Sequence, residues 1–196
     1  MASRRRLPPI ERVTERLVLR PLRRKDEDSY VAMLVDSTEA WAPWTPASSP
    51  DLTPEARFLN ELARTEGGAR RGSHLRLGGF QDGGRLVGLF SLNEIVRGVF
   101  QSAYAGWQVR SSDMGRGLGT EGVQALLDIA FSPEPSGLGL HRVQANVMPS
   151  NAASLRVVEK VGLRKEGEAE RYLRIAGRWE DHLMFAVTAE EWTSHG

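Results

Sequence analysis

A chain of 196 residues can bury a sizeable core, and this length favours a single domain. The formal net charge of +1 excludes a global field that would attract nucleic acid, and the absence of cysteine excludes disulfide frameworks and thiolate sites. No apolar run is long enough to span a bilayer, so we expect a cytoplasmic protein without membrane contact.

The beginning of the chain carries a basic segment followed by a strand and a helix. Residues 1–14 are basic and contain two adjacent prolines, which predicts a loose lead-in with a solvated arginine arm. Residues 16–20 alternate between apolar and charged side chains, as a strand with one buried face does. A helix is predicted from Asp26 or Asp28 to about Ser37.

The next segment combines an irregular stretch with a second helix. Tryptophans and prolines are interspersed over residues 41–50, so we predict irregular backbone there. Thr53, Pro54 and Glu55 are typical of a helix start, with a capping hydroxyl, proline at the first helical position and acid in the first turn. The glycine pair at 67–68 predicts the end of this helix.

From residue 73 to residue 109 the pattern predicts strands, with Asp-Gly-Gly at 82–84 as a hairpin turn. A glycine-rich turn and an amphipathic helix follow, and alternation over 143–147 predicts another strand. Asn151 is predicted to begin a helix that Gly162 closes as a left-handed cap.

The last predicted unit is a hairpin over residues 172–187. The complete order is therefore β-α-α-β-β-β-α-β-α-β-β, with mostly antiparallel strands and one β-α-β unit. This order predicts an α/β (mixed α+β) fold in one domain.

The glycine-rich turn is the strongest candidate for a ligand site. Gly115, Gly117 and Gly119 crowd a turn that opens a helix, where free N–H groups and the positive end of the helix dipole suit a phosphate. Residues 117–122 formally match G-x-G-x-x-G, but the next strand ends without an acidic residue and only one helix follows. We therefore exclude a dinucleotide fold and interpret the turn as a phosphate cradle for another cofactor.

Several segments resemble one family. Residues 114–119 match the loop pattern Gln/Arg-x-x-Gly-x-Gly/Ala except at Met114, and the other segments are ERLVLRPL (15–22), NEIVRGVFQSAYAGWQV (93–109), HRVQANVMPSNAASLRVVEKVGLRKEG (141–167) and RYLRIAGRWEDHLMFAVTAEEW (171–192). These residues resemble the GNAT family of acetyl-CoA-dependent N-acetyltransferases, within it the ribosomal-protein-alanine acetyltransferase branch of RimJ/RimL type. The resemblance covers roughly residues 15–192 and is weakest between 36 and 72.

The resemblance implies a GNAT fold over residues 15–192, with a mixed, mostly antiparallel sheet of about seven strands and four helices. The fourth and fifth strands of that fold splay apart, and the pantetheine arm of acetyl-CoA inserts between them. The pyrophosphate lies on the amides of the glycine turn, and a backbone amide of the fourth strand polarises the thioester.

The resemblance also implies a set of residues that bind the co-substrate acetyl-CoA, without a metal. They are Trp107, Gln108, Val109, Met114, Gly115, Arg116, Gly117, Leu118, Gly119, Thr120, Asn146, Asn151 and Ser154. Met114 replaces the usual Gln or Arg, which removes a side chain but keeps the backbone amides.

Two of these residues carry the implied chemistry. Asn151 holds the pantetheine arm and Ser154 protonates the leaving thiolate, since Val158 stands where many relatives have a tyrosine. The residues alone favour a structural interpretation, in which Asn151 or Ser150 caps a helix and Ser154 is a small interior residue; the resemblance reverses this preference.

The general base stays open among Glu94, Glu168 and Glu170, because Leu173 aligns with a glutamate of the RimL relatives. His141 and His182 are interpreted as structural residues, and the four histidines offer no i,i+4 metal pair.

The acceptor is the least determined part of the prediction. Trp41, Trp44, Tyr172 and Trp179 are candidates for an acceptor pocket, with core packing as the alternative. The resemblance implies acetylation of an N-terminal alanine or serine of a ribosomal or other protein. A small-molecule amine acetyltransferase and a non-catalytic acyl-CoA-binding module stay as alternatives, nucleic acid is not expected as a partner, and the oligomeric state is open between monomer and homodimer.

Overall fold

The computed structural model of the chain describes residues 6–8, 10–46 and 52–192. The strands are β1 (Arg12–Val13), β2 (Val18–Arg20), β3 (Leu75–Gln81), β4 (Arg85–Val96), β5 (Ser102–Val109), β6 (Arg142–Val147), β7 (Arg164–Ile175) and β8 (Arg178–Thr188). The helices are α1 (Glu27–Trp41), α2 (Pro54–Arg71), α3 (Leu118–Phe131) and α4 (Ala152–Lys160). The predicted fold class and order of elements are confirmed, and one short strand, β1, is added before them.

Part of the predicted lead-in packs onto the sheet. Leu7 and Ile10 are buried in the main core, and the N–H of Leu7 donates to the carbonyl of Ala69 at 2.9 Å. Strand β1 pairs antiparallel with β2, which extends the sheet by one edge strand. Residues 1–5 and 9 of the predicted lead-in, including the first two residues of the arginine arm, lie outside the described residues.

The predicted ends of the first two helices are wrong. Helix α1 runs on to Trp41 and continues as a 3₁₀ turn over Ala42–Trp44, because proline is tolerated in the first turn of a helix. Residues 47–50 of the predicted irregular stretch lie outside the described residues. Helix α2 includes the glycine pair at 67–68 and ends at Arg71, with Gly72 as its C-cap at a φ of 65°. Gly68 does not end the helix but allows it to pass close to His74, since a Cβ on Gly68 would lie 2.8 Å from the Cβ of His74.

All eight strands form one sheet in the order β1-β2-β3-β4-β5-β6-β8-β7. Within the described residues only β5 and β6 run parallel, and their pairing is limited to Ser102 with Arg142, Ala103 with Val143 and Tyr104 with Gln144. Beyond this point β5 remains paired with β4 up to Val109, while β6 remains paired with β8. The two strands therefore splay apart, as predicted for the fourth and fifth strands.

Two apolar clusters cover the two faces of the sheet. Neighbouring residues of a strand point to opposite faces, and Leu89 and Phe90 of β4 accordingly pack in the smaller and the larger cluster. The larger cluster includes Val123 and Leu126 of α3, whereas the smaller one includes Phe58 of α2. The α1–α2 pair and the α3–α4 pair thus pack on opposite sides.

A buried ion pair ties β2 to the start of α1. The guanidinium of Arg20 donates to both carboxylate oxygens of Asp26 at 2.7 and 2.8 Å and lies 3.6 Å from the centre of the Phe80 ring. Burial alone would raise the pKa of Asp26, but the hydrogen bonds from Arg20 and from the N–H of Arg23 outweigh burial and lower the pKa.

The variant Asp26→Asn leaves the Arg20 guanidinium buried without its counter-charge. We expect the free energy of unfolding to fall by about 3 kcal/mol at pH 7. The pKa of Asp26 is lowered by folding, so its contribution is full above the pKa of an unfolded carboxyl and is lost as the pH falls through the folded value. In urea unfolding, the difference in the free energy of unfolding between wild type and Asp26→Asn should therefore become smaller below about pH 4.

The exposed Asp28 of the same helix provides the control, because the Asp28→Asn exchange removes an equal charge outside the pair. An equal loss of stability in both variants would contradict a specific role of the ion pair.

Candidate active site

The splay between β5 and β6 opens a cleft of about 610 Å³, which we call the splay cleft. Its walls are the free edge of β5, the end of β6, the glycine turn and the first turns of α3 and α4. The lining residues used below are Trp107, Gln108, Val109, Met114, Gly115, Gly117, Leu118, Gly119, Thr120, Asn146, Asn151, Ser154, Arg156, Lys160 and His182.

The glycine turn presents backbone N–H groups to this cleft. Gly115 and Gly117 have φ values of 77° and 83°, which favour glycine, and α3 begins directly afterwards at Leu118. The bond from the N–H of Glu121 to the carbonyl of Gly117, at 3.1 Å, opens the helical ladder. The amides of residues 118–120 consequently have no intrahelical acceptor and lie at the positive end of the helix dipole.

Buried carboxylates on both sides hold the glycine turn in place. On one side Asp113, only 1% exposed, accepts hydrogen bonds from Arg85 at 2.6 Å and Arg116 at 2.7 Å. On the other side Glu121 accepts from the hydroxyl of Thr14 at 2.6 Å and from the guanidinium of Arg16 at 2.7 Å. Burial would raise the pKa of Glu121, yet these hydrogen bonds outweigh burial and lower the pKa. Each of the two carboxylates is paired with an arginine.

Close packing of α3 against the sheet aims the helix start at the cleft. A Cβ on Gly122 would lie 2.1 Å from Cζ of Phe90 on β4, so only glycine allows this approach. A Cβ on Gly119 would lie 3.2 Å from a methyl group of Val109 at the end of β5. The glycines at 119 and 122 thus bring the helix start next to the free edge of β5.

The start of α4 forms the opposite wall. Asn151 is the N-cap, and its Oδ1 accepts from the N–H of Ser154 at 3.0 Å. Asn151 therefore acts as the helix cap that the residues alone allowed. The cap uses only Oδ1 of Asn151, so the two N–H donors on Nδ2 remain for a ligand. Ser154 lies in the first turn of the helix, and both side chains line the splay cleft.

A polar corner closes the inner end of the splay cleft. The Nδ2 of Asn146 donates to the hydroxyl of Tyr172 at 3.1 Å, and the Tyr172 ring meets His182 edge-on at 5.6 Å between centroids. The Oδ1 of Asn146 is buried and accepts no hydrogen bond within the described residues. A buried amide oxygen without a donor points to a donor that a ligand supplies.

A second cleft, of about 850 Å³, lies between α1, α2 and the sheet, and we call it the helical cleft. Trp41, Trp44, Thr45 and residues 106–108 line both clefts. The Nε1 of Trp41 donates to the carbonyl of Val109 at 2.9 Å, which secures the tip of β5. The two clefts therefore meet along the free edge of β5, beneath the two tryptophans.

The other predicted site residues lie elsewhere. Arg116 does not line the splay cleft, because its side chain turns back to Asp113. Trp179 is 62% exposed and lines neither cleft. The carboxylates considered as bases are also outside both clefts; they are Glu94, Glu168 and Glu170.

Three lining residues carry charge or chemistry that sequence reasoning missed. Arg156 and Lys160 are one helical turn apart on α4, a spacing that could have indicated a basic face at the cleft. His182 was interpreted as structural, but it lines the splay cleft although it is only 4% exposed. No local signal marked it, since its place depends on the pairing of β8 with β6.

Residues 6–8, 10–46 and 52–192 contain neither a metal-binding cluster nor a membrane-spanning helix. Within these ranges no three His, Asp or Glu side chains come together in an arrangement that could hold a metal ion. None of the helices in the same ranges has the length and apolar character needed to cross a membrane.

Comparison with known proteins identifies the class. The profile of the family described as "Acetyltransferase (GNAT) domain" matches residues 16–164. The chain belongs to this family of GNAT acetyltransferases.

Named relatives refine this result. The "[Ribosomal protein uS5]-alanine N-acetyltransferase" of Escherichia coli is 28% identical over 191 residues, which cover 97% of this chain and 96% of that protein. The "Probable N-acetyltransferase YjcK" of Bacillus subtilis is 44% identical over 103 residues. This match covers 53% of this chain and 55% of that protein, so the chain spans about half the length of this relative. The solved structure "Mycobacterium smegmatis RimJ in complex with CoA-disulfide" is 31% identical with a TM-score of 0.80, covering 96% of this chain and 89% of that chain.

Proposed function

We propose that this protein transfers the acetyl group of acetyl-CoA directly to the N-terminal α-amine of a protein, with alanine or serine as the first residue. The observation that carries the proposal is the meeting of two clefts along the unpaired edge of β5. Direct transfer needs a donor and an acceptor that contact each other without an enzyme nucleophile. Two clefts with one shared wall provide this arrangement.

The splay cleft suits the donor. The free amides of residues 118–120 and the cations Arg156 and Lys160 match the phosphate groups of CoA. The unpaired edge of β5 over residues 105–109 offers backbone groups to the amides of the pantetheine arm, and Asn146 and Asn151 offer side-chain partners.

Two groups of the chain act on the reacting atoms in this proposal. Bound acetyl-CoA supplies the thioester that the amine attacks. A backbone N–H among Trp107, Gln108 and Val109 donates to the thioester oxygen as it becomes negative. The hydroxyl of Ser154 gives its proton to the departing sulfur and takes one back from solvent.

The helical cleft suits a peptide terminus better than a polycationic amine. The charged residues that line it are Arg57, Arg64, Arg76 and Glu61, and the glutamate is occupied by Arg76 at 2.5 and 3.1 Å. Polyamines and aminoglycosides would be repelled there. The full-length similarity to an enzyme named for acetylating the alanine of ribosomal protein uS5 supports the same acceptor class.

The phosphate cradle is tested by Gly117→Glu. Glutamate at this position would be strained at a φ of 83° and would bring a negative charge into the turn whose amides bind the phosphates, so we expect CoA affinity to fall by about 100-fold or more in calorimetry. Gly98→Glu is the matched control, because Gly98 also has a positive φ, 73°, but lines neither cleft. Equal affinities of the two variants would rule out the cradle.

The role of Ser154 is tested by Ser154→Ala. We expect kcat to fall by about 10²-fold, since general acid catalysis is lost, while CoA affinity stays the same. Ser136→Ala, in the loop after α3, should retain wild-type turnover. A wild-type kcat for the Ser154 variant would remove this hydroxyl from the mechanism.

The acceptor class is tested with acetyl-CoA and a panel of acceptors. Peptides that begin with Ala or Ser should be acetylated at the α-amine, located by mass spectrometry, and a polyamine and an aminoglycoside should react far more slowly. Faster turnover of a small amine would overturn the proposed acceptor. Binding of CoA without turnover of any acceptor would instead indicate a non-catalytic acyl-CoA-binding module.

A further inference from the structure

The proton of the acceptor ammonium needs a recipient, and few groups in the two clefts are able to accept it. The titratable residues that line them within the described ranges are Tyr30, Arg57, Glu61, Arg64, Arg76, Asp113, Arg156, Lys160 and His182. The arginines and the lysine are cations. Burial, with the charge of Glu61, raises the pKa of Tyr30 to about 12, so this phenol keeps its proton at neutral pH.

The two carboxylates of this set are already engaged. Glu61 is bound by the guanidinium of Arg76 through both oxygens. Asp113 is buried and shared between Arg85 and Arg116. His182 is the remaining candidate.

The hydrogen bonding of His182 defines its tautomer. Its Nδ1 lies 3.0 Å from the carbonyl oxygen of Glu180, and a carbonyl can only accept, so Nδ1 carries the hydrogen. In the neutral ring Nε2 then bears the free lone pair. Nε2 has no hydrogen-bond partner within the part of the chain that the structure describes.

Strand register places this ring at the splay. Met184 pairs with Asn146, and His182 lies two residues away on the same face of β8. The Tyr172 ring packs edge-on against His182, while the Tyr172 hydroxyl accepts from Asn146. Burial and the neighbouring Tyr104 raise the pKa of Tyr172, so Tyr172 supports the imidazole as a neutral phenol.

We propose that His182 is the general base that takes the proton from the acceptor ammonium. The proton moves to Nε2, the freed amine forms the C–N bond with the thioester carbon, and the C–S bond breaks. The thiolate receives a proton from Ser154, the second surplus proton of the nitrogen passes through water to the Ser154 oxygen, and the imidazolium returns its proton to water. Tyr172 and the Glu180 carbonyl are positioning groups, and the role rests on acetyl transfer to an amine.

Few charged or titratable groups face His182. Tyr172 of β7 faces the ring directly, and Tyr104 of β5 stands behind Tyr172. Arg156 and Lys160 of α4 line the same cleft, and β8 contributes the backbone carbonyl of Glu180. No carboxylate side chain lines the cleft near the ring among the described residues, since Asp113 lies at the glycine turn.

The variant His182→Gln tests the proposal with two acceptors. With an Ala-initiated peptide, we expect kcat at pH 7 to fall by about 10²-fold. The variant depends on amine that has already lost its proton, so its profile should rise with pH towards the α-amine pKa, about 8, and the gap to wild type should narrow there. The second acceptor is water, and the measured quantity is the rate of slow acetyl-CoA hydrolysis. This reaction involves no titrating amine. In the wild type its rate should fall at low pH, where the base is protonated, and this fall should be absent in the variant.

The controls separate the base from folding and from the acceptor assignment. His141→Gln, at an exposed histidine outside both clefts, should keep wild-type profiles, and CoA affinity of the His182 variant should be unchanged. Wild-type pH profiles in His182→Gln would overturn the proposal. A third result would separate the two proposals. If His182→Gln changes the pH profile of acetyl-CoA hydrolysis, but neither the variant nor the wild type acetylates a peptide, the base is retained and the peptide acceptor is rejected.

A measurement on the unaltered protein covers the case in which the variant does not fold. Diethylpyrocarbonate modifies neutral imidazole nitrogens, and peptide mapping identifies the modified histidine. We expect modification of His182 to abolish turnover and acetyl-CoA to protect it, while modification of His141 has no effect. Full activity with His182 modified would contradict the proposed role.

Discussion

The separation of β5 from β6 is the constraint on which the rest of the site depends. Their parallel pairing stops after three residue pairs, so over residues 105–109 the edge of β5 that points away from β4 faces a cleft and not a neighbouring strand. Unpaired buried backbone groups are costly, and a ligand that pairs with them recovers that free energy. Both strands are held from outside the cleft, β5 by β4 and by Trp41, and β6 by β8. The opening is therefore a stable feature of the sheet.

The glycine turn depends on two carboxylates that brace it, one of which, Asp113, also lines the splay cleft. Asp113 and Glu121 orient the turn, and each is neutralised by arginine. This arrangement allows free amides and a helix dipole to act on a phosphate without a competing carboxylate. Close contacts at Gly119 and Gly122 then bring the turn and the free edge of β5 into one site. Binding of the phosphates and orientation of the thioester are thus parts of one geometry.

Local patterns predicted elements well where the chain's own backbone preferences decide the outcome. The Thr53 cap, the turn at 82–84 and the helix start at Asn151 follow from neighbours within a few residues. Predictions failed where distant packing decides. Gly68 lies inside α2, where the missing side chain allows the helix to pass close to His74. Helix α1 continues to Trp41, whose indole reaches Val109 on another element.

The sequence by itself determined the order of elements, the glycine turn and the Asn151 cap, and through its resemblance it indicated the family. These features depend on φ preferences and on spacing along the chain. Only the tertiary structure decided which side chains share the cleft. His182 and Asn146 are 36 positions apart, and the register of β8 on β6 brings them together, while the Arg116 side chain is drawn away by Asp113. Strand register and ion pairing are long-range interactions, which is why no local pattern encoded them.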